Sequence, residues 1–396
     1  MGESWFESGR RAIGARSARN GCDRGGLTFA ALGLCGALLG AAVPGQAATP
    51  VIFDNDMAID DWSALLYLAR EPAVELLAVT VAGSGEAHCA PAERNALALL
   101  KLEGLDAEVP VSCGDPWPLD GYFVFPVPWQ EDMDILSGVK IPDSEQAPDP
   151  RHAVELIHDT LQASEEPVVL LATGPMTNIA QWLQRYPEDR AKVSRVVIMG
   201  GSLHVPGNIL VPGFTDGHPN RKAEWNFYVD PLAADILLRS GLPVEMVGLD
   251  VTNTVRVTAE FAADFKRRAN NPSAHFWDAI LDKNDWFIAS GEYYLWDVLA
   301  ALAVTDRATY CGSEPMPLAV AHGATESPWE PGSDRSMPAQ RWDGAPRQDL
   351  DAESAGAVLV AADGPPIAVC LRTDGDAAFE RFTQVLTSAP PAGKGE

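Results

Sequence analysis

Short, uninterrupted apolar runs alternate along most of this chain with longer segments that are apolar on one face only. Pro50-Val51-Ile52-Phe53, Leu76 to Val81, Pro167 to Ala172, Val196 to Met199 and Val244 to Val247 read as buried strands. Trp62 to Leu68, Ala92 to Leu102, a segment beginning at Thr177 and Pro231 to Arg239 read as helices between them. A strand that is apolar throughout is covered on both faces, and parallel neighbours need the crossover that a helix supplies. The alternation therefore predicts an α/β fold with a mostly parallel central sheet flanked by helices. No repeat or linker divides it, so residues 48–396 are expected to form a single domain. Gly323 to Ser354, rich in Pro, Gly, Ser and charge, reads as a surface loop between two late strands.

Residues 1–47 follow a different pattern. Arg10, Arg11, Arg16, Arg19 and Arg24 precede the apolar run Leu27 to Val43, which ends in Pro44-Gly45-Gln46-Ala47. A basic region, an apolar stretch of this length and a small residue at the end describe a secretory signal segment. A membrane anchor is the alternative, but Gly and Ala dilute the run and Pro44 ends it. The expectation is an exported chain, periplasmic or secreted, with no stable membrane insertion after processing. Arg10-Arg11 hints at a twin-arginine route but lies far from the apolar run, and Leu34 before Cys35 argues against lipoprotein processing. The remaining cysteines, Cys89, Cys113, Cys311 and Cys370, permit two disulfides in an oxidising compartment and show no metal-binding spacing. Cys311–Cys370 is the expected pair, each residue lying beside a strand-like segment.

Across 396 residues there are 55 Asp and Glu against 29 Lys and Arg, a net charge of −26. So acidic a surface repels phosphate backbones, which excludes a nucleic-acid polymer as a general partner. Residues 53 to 61 read Phe-Asp-Asn-Asp-Met-Ala-Ile-Asp-Asp and place four carboxylates where the first strand gives way to a helix. Asp54 and Asp56, two apart on an extended chain, point to the same side. Asp60 and Asp61 open the helix, where its dipole favours negative charge. In open α/β sheets this edge of the strands is where ligands bind. Converging carboxylates raise one another's pKa unless a cation lies between them. An all-oxygen ligand set favours Ca²⁺ or Mg²⁺ over zinc. A helix cap with solvated acids accounts for Asp60 and Asp61 but leaves the Asp54/Asp56 pair unexplained. The nucleophile pair of a haloacid-dehalogenase-type phosphatase is a further reading of Asp54-Asn55-Asp56. That pattern calls for Thr or Val where Ala58 stands, and it gives Asp60-Asp61 no role.

Asp54 to Asp61 also resembles the DxDxxxDD signature of the nucleoside hydrolases, the calcium-dependent N-ribohydrolases. Thr173-Gly174-Pro175-Met176-Thr177-Asn178 is similar to that family's TGPLTN segment. Met199-Gly200-Gly201 and Gly207-Asn208 follow, and then Ala223-Glu224-Trp225-Asn226-Phe227-Tyr228-Val229-Asp230-Pro231 resembles its AEFNIYVDP block. Gly248-Leu249-Asp250-Val251-Thr252 resembles its GLDVT strand. The blocks keep the family's order from about Val51 to Ala303, and the likeness continues more weakly to the C-terminus. Many members carry a late His-Asp pair, in which the His protonates the leaving base. Here Tyr293-Tyr294-Leu295-Trp296-Asp297 puts Trp296 in the His position and keeps the Asp. That is similar to the purine-preferring inosine–adenosine–guanosine branch, whose second tryptophan comes from an earlier loop resembled by Gly121 to Trp129.

The resemblance implies an α/β catalytic domain that cleaves purine ribonucleosides with Ca²⁺ as cofactor. Asp56, Asp61, Asp297 and the carbonyl of Thr173 would hold the ion, with Asp56 also the general base and Asp54 supporting it. Asp60, Asn208, Glu224 and Asn226 would hold the ribose hydroxyls and 5′-group, with Met199 and Trp225 packed beside them. Trp296 and Trp129 would sandwich the base. Cleaving an N-glycosidic bond needs a nucleophilic water, support for an oxocarbenium-like sugar and an activated leaving group. A cation polarises the water. Stacking of about 1–3 kcal/mol per base, with cation–π attraction for a protonated purine, removes the need for a side-chain acid.

Each residue also has a purely structural reading. Met199 and Trp225, on strand-like segments, and Trp296 suit a core, Trp129 a loop anchor, and Asn208 and Asn226 turn caps. His88, His204 and His218 lie near the matched segments but not at the family's acid position, and read as surface or supporting residues. Glu86 falls where relatives place an Asp or Asn on the ribose and is one methylene longer. Lys283-Asn284-Asp285-Trp286 and the loop Gly213 to Lys222 also depart from the pattern. Two other functions remain open: hydrolysis of a pyrimidine or modified nucleoside, and nucleoside binding without turnover. Retention of Asp54, Asp56, Asp60, Asp61 and Asp297 argues against the second, since losing one is the simplest way to stop hydrolysis. A homo-oligomer is compatible with the sequence.

Overall fold

Val51, Ile52 and Phe53 lie at the heart of a nine-stranded sheet. In the computed structural model the described residues are 47–119, 125–212, 214–322 and 353–389, and they fall in one unit, Gln46–Glu396. The expected export segment, Gly121 to Val124 and nearly all of the Gly323–Ser354 loop lie outside the described residues. The strands are β1 (Thr49–Asn55), β2 (Val74–Val81), β3 (Val111–Cys113), β4 (Val168–Ala172) and β5 (Val193–Met199). They continue as β6 (Val244–Val247), β7 (Gly312–Val320), β8 (Val358–Val360) and β9 (Pro366–Arg372). Their order is β3-β2-β1-β4-β5-β6-β9-β7-β8. β1 to β6 and β9 pair in parallel, whereas β7 runs antiparallel to β8 and β9.

Successive strand side chains face opposite sides of the sheet, and both sides are covered. Val51, Phe53, Val169 and Leu171 join one core with the helices Ile59–Arg70, Cys89–Leu102, Trp296–Thr305 and Gly375–Thr387. Ile52, Leu170, Val196 and Ile198 join the other with Ala153–Ala163, Thr177–Arg185 and Pro231–Leu238. The helix expected at Trp62 to Leu68 spans Ile59–Arg70 and is buried all round from Asp61 to Arg70. Arg70 can be buried there because its guanidinium donates to both oxygens of Glu103 (2.8 and 2.7 Å) and to the Val385 carbonyl (3.1 Å).

Two expectations of local structure are corrected. Leu249–Thr252, read as a strand, is one helical turn that follows β6. Asp250 in this turn accepts backbone N–H groups of Leu203 and His204 at 2.8 Å, tying down the loop after β5. Trp225 lies on the short helix Trp225–Val229 rather than a strand, because Glu224 caps that helix through the N–H groups of Asn226 and Phe227. The cysteines form Cys311–Cys370, as expected, and also Cys89–Cys113. No helix of the described residues is long and apolar enough to cross a membrane.

The order β3-β2-β1-β4 places a topological switch point between β1 and β4: the chain leaves β1 to one side and returns on the other. The loops beyond these two strands diverge, opening the crevice where ligands of such sheets bind.

Candidate active site

The segment after β1 is shaped by its own polar groups. Asn55 Oδ1 accepts the Met57 N–H at 3.0 Å, and Trp62 Nε1 donates to the Met57 carbonyl at 2.8 Å. Together they hold Met57 at φ 58°, a left-handed conformation that a non-glycine residue rarely adopts. Asp61 then accepts the N–H groups of Ala58 (2.9 Å) and Asp56 (3.2 Å), folding the chain back over the helix start. The tight turn brings Asp56, Asp60 and Asp61 into one place.

β4 supplies the opposite wall. Asp54 pairs in register with Ala172, and the Thr173 N–H donates to the Asp54 carbonyl at 2.9 Å. The Thr173 hydroxyl donates to Asp61, and its carbonyl accepts the Asn226 side-chain amide at 2.7 Å. Asp54 itself is locked: Oδ1 accepts Thr80 Oγ1 (2.6 Å) and Asn178 Nδ2 (2.8 Å). Asp56 accepts the Glu86 N–H at 3.0 Å, and its carbonyl accepts the Ala87 N–H at 3.0 Å. A Cβ on Gly85 would lie 2.1 Å from the Cβ of Asp56, and one on Gly174 would lie 2.8 Å from it, so both backbones must be bare. Asp297 arrives from the first turn of Trp296–Thr305. Carboxylate oxygens of Asp60, Asp61 and Asp297 lie within 4.8 Å of one another.

Burial is the chief cause of the site's electrostatics, and mutual repulsion adds to it. Asp54 is pushed up to about 7 by burial, and Asp61 adds to the rise. Asp60 also rises to about 7, through burial and then the charge of Asp61. Asp56 and Asp297 stand well above the usual carboxylate range, again through burial first and neighbouring carboxylates second. Glu86 does the same, under the charges of Asp60, Asp61 and Asp132. Among the described residues no Lys or Arg pairs with any of these groups. Asp54 Oδ2 and Asp297 Oδ1 are buried without a hydrogen-bond partner. Unpartnered buried oxygens in an all-carboxylate cluster fit a hard divalent cation.

Beside the carboxylates lies the part expected to hold the sugar. Glu224 accepts N–H groups of Gly201 (3.0 Å), Asn226 (2.9 Å) and Phe227 (3.3 Å), and burial raises it to about 7. Asn226 donates to the carbonyls of Thr173 and Met199 (2.7 and 3.2 Å), so its amide ties β4 to β5. Met199, at the end of β5, is buried beside it. Asn208 accepts the Trp225 N–H (3.2 Å), and its carbonyl accepts Trp225 Nε1 (3.1 Å).

The two tryptophans expected to hold the base lie in different aromatic groups. Trp129 contacts Phe214 and Trp225, with ring centres 5.3 and 5.4 Å away. Trp296 contacts Phe287, Tyr293 and Tyr294, with centres 6.1, 5.9 and 5.5 Å away. Trp296 precedes Asp297 in its helix, and Trp225, which Trp129 contacts, follows Glu224. Among the described residues no histidine bonds to a cluster carboxylate; His88 pairs with Asp134 (2.8 Å) and His218 with the Tyr228 hydroxyl (2.7 Å).

Asn178 and Thr80, which fix Asp54, had no expected role, although Asn178 ends a matched block and Thr80 lies within the strand expected at Leu76 to Val81. Tyr293 was also unassigned: its hydroxyl is buried, has no partner and lies within the field of Asp60 and Asp297.

Comparison with known proteins agrees with this geometry. Residues 51–380 match the family model described as inosine-uridine preferring nucleoside hydrolase. A pyrimidine-specific ribonucleoside hydrolase, RihA, of Citrobacter koseri is 37% identical over 237 residues, covering 59% of this chain and 70% of the relative. The purine-preferring ribonucleoside hydrolase of Gardnerella vaginalis superposes with a TM-score of 0.67 at 26% identity, covering 86% of this chain and 98% of that one. The inosine-uridine preferring nucleoside hydrolase of Bacillus anthracis shares the fold, with a TM-score of 0.65 at 23% identity over 86% of this chain and 99% of that one. A family match spanning nearly the whole described domain, on a fold with carboxylates gathered at its switch point, makes this chain a member of the nucleoside hydrolase family and a hydrolase of N-glycosidic bonds.

Proposed function

We propose that the protein hydrolyses purine ribonucleosides to free base and ribose outside the cytoplasm, with Ca²⁺ as its cofactor. The observation that carries the reading is Trp296 beside buried Asp297, whose Oδ1 has no hydrogen-bond partner, in a cluster to which no histidine of the described residues bonds. Asp56, Asp61, Asp297 and the Thr173 carbonyl would hold the ion, and the place of Asp60 beside Asp61 and Asp297 makes it a neighbour of the same ion. Bound there, the cation supplies polarisation of the attacking water.

The chain's own groups do the rest. Asp56, oriented by the Glu86 N–H, takes the water's proton. Asp60, Glu86, Asn208, Glu224 and Asn226 bind the ribose, and Met199 and Trp225 pack against it. Hydrogen bonds that the ribose hydroxyls donate to carboxylates strengthen as positive charge grows on the sugar ring. Trp296 and Trp129 stack on the base and favour its protonated form. Two disulfides, together with the basic and apolar leader, support an exported, oxidising location.

A second reading, pyrimidine hydrolysis, is favoured by the name of the Citrobacter koseri relative. Initial rates of ribose release from inosine, guanosine, adenosine, uridine and cytidine decide between them. Purine turnover exceeding uridine turnover, with Trp296→Ala lowering purine kcat/KM by about tenfold or more, is the expected result. Faster uridine cleavage that is insensitive to Trp296→Ala would overturn the purine assignment. Ribose release from none of the five would overturn both assignments and point to a modified nucleoside.

A further inference from the structure

Among the described residues, the loop between β2 and the helix Cys89–Leu102 carries the only backbone donors that reach Asp56 from outside its own turn and helix. It turns through the Gly85 N–H to the Ala82 carbonyl (2.9 Å), and then Glu86 and Ala87 donate to the Asp56 side chain and carbonyl at 3.0 Å each. Gly85 packs so closely on Asp56 that no Cβ fits between them. The loop ends at Cys89, which is bonded to Cys113 at the end of β3. Gly83 is pressed against the same sulfur: a Cβ there would lie 2.7 Å from Cys89 Sγ.

The other half of the bridge leads back to the same cluster. Gly114, next to Cys113, donates to the Val81 carbonyl at 2.9 Å. A Cβ on Gly114 would lie 1.8 Å from Asn178 Oδ1, and the Asn178 amide nitrogen is what holds Asp54. Each end of the disulfide is thus one close packing contact away from a loop or side chain that fixes an active-site aspartate. Without the bridge, the loop's remaining side-chain anchors are the Ser84–Thr177 hydroxyl contact (2.8 Å) and the exposed His88–Asp134 pair.

We infer that Cys89–Cys113 is a positioning element of the active site, which holds the Gly83–His88 loop, and through it Asp56, in its working place. The inference rests on the reading of Asp56 as general base. Cys311–Cys370 is the internal control, since it joins the segment before β7 to β9, away from these loops. It spans 59 residues against 24, so chain entropy alone gives its loss the larger effect on stability.

The test compares Cys89→Ala/Cys113→Ala with Cys311→Ala/Cys370→Ala in the full mature chain. Both should lower Tm. Only the first should lower kcat, by about tenfold with KM within about threefold, because a displaced catalytic group costs rate more than binding. Amide exchange at Glu86 and Ala87 should quicken by about tenfold in the first variant alone, a readout independent of turnover. If the first variant does not fold, phosphine reduction of the folded enzyme, alkylation and mass mapping of the opened bridge give the same comparison. Full kcat and unchanged exchange with Cys89–Cys113 open would overturn the inference, as would equal losses in both variants. Asp56→Asn with undiminished turnover would instead overturn the reading of the base.

Discussion

Asp54, Asp60 and Glu224 each titrate at about 7 in the folded chain, against about 4 for an ordinary carboxyl. Burial is the chief cause of each rise; the charge of Asp61 adds to it at Asp54 and Asp60, and hydrogen-bond donors oppose it at Asp54 and Glu224. Between those two values the folded, metal-free protein keeps protons that the unfolded chain has released. Its stability therefore falls as pH rises through that window, and the penalty is fully present above about 7. Asp56, Glu86 and Asp297, raised further, extend the trend in the same direction. Cation binding requires the ionised carboxylates, so Ca²⁺ should raise Tm little at pH 5 and markedly at pH 8. Thermal scans with and without Ca²⁺ at both values check this, and a larger gain at pH 5 would contradict it. The four aspartates between residues 54 and 61 were legible because they are neighbours in sequence. Thr80, Asn178 and Gly85 were not read as their partners, since only the β1–β2 and β1–β4 registers bring them together.

Helix starts position much of the site. Asp61 holds the start of Ile59–Arg70, Glu224 caps Trp225–Val229, and Asp297 lies in the first turn of Trp296–Thr305. Asp230 shows what such a residue contributes to the fold alone. It caps Pro231–Leu238 through the Ala233 N–H (3.1 Å) and accepts the Leu119 N–H (2.8 Å) and the Thr177 hydroxyl (2.6 Å), fully buried. Asp230→Ala removes a cap and leaves buried donors unpaired, so denaturant unfolding should show a loss of about 2–4 kcal/mol. A change below about 0.5 kcal/mol would contradict that role. The five apolar runs became strands β1, β2, β4, β5 and β6, since runs covered on both faces announce themselves in sequence. Of β7, β8 and β9 the sequence announced only that two late strands flank the Gly323–Ser354 loop, without bounds, because β7 alternates prolines and polar residues with apolar ones. The turn at Leu249–Thr252 was read as a strand from its resemblance to the family's GLDVT block, although Gly248 follows β6 and caps the turn.

At the scale of the molecule, strand order does what no single motif can. It sets β1 beside β4 at the switch point and thereby joins Asp54 to Asp61 with Thr173, Asn178 and, across the crevice, Asn226 and Asp297. The net charge of −26 disfavours polyanionic partners, and the buried share of that charge gives the site its demand for a cation. Cys311–Cys370 joins the segment before β7 to β9, and Cys89–Cys113 ties the β2 loop to the end of β3 beside the site. The central claim, that these carboxylates form a cation-dependent N-ribohydrolase site, is tested most directly by ribose release from inosine. The rate should vanish when a calcium chelator is added and return when Ca²⁺ is restored in excess. A rate unchanged by the chelator would contradict the account.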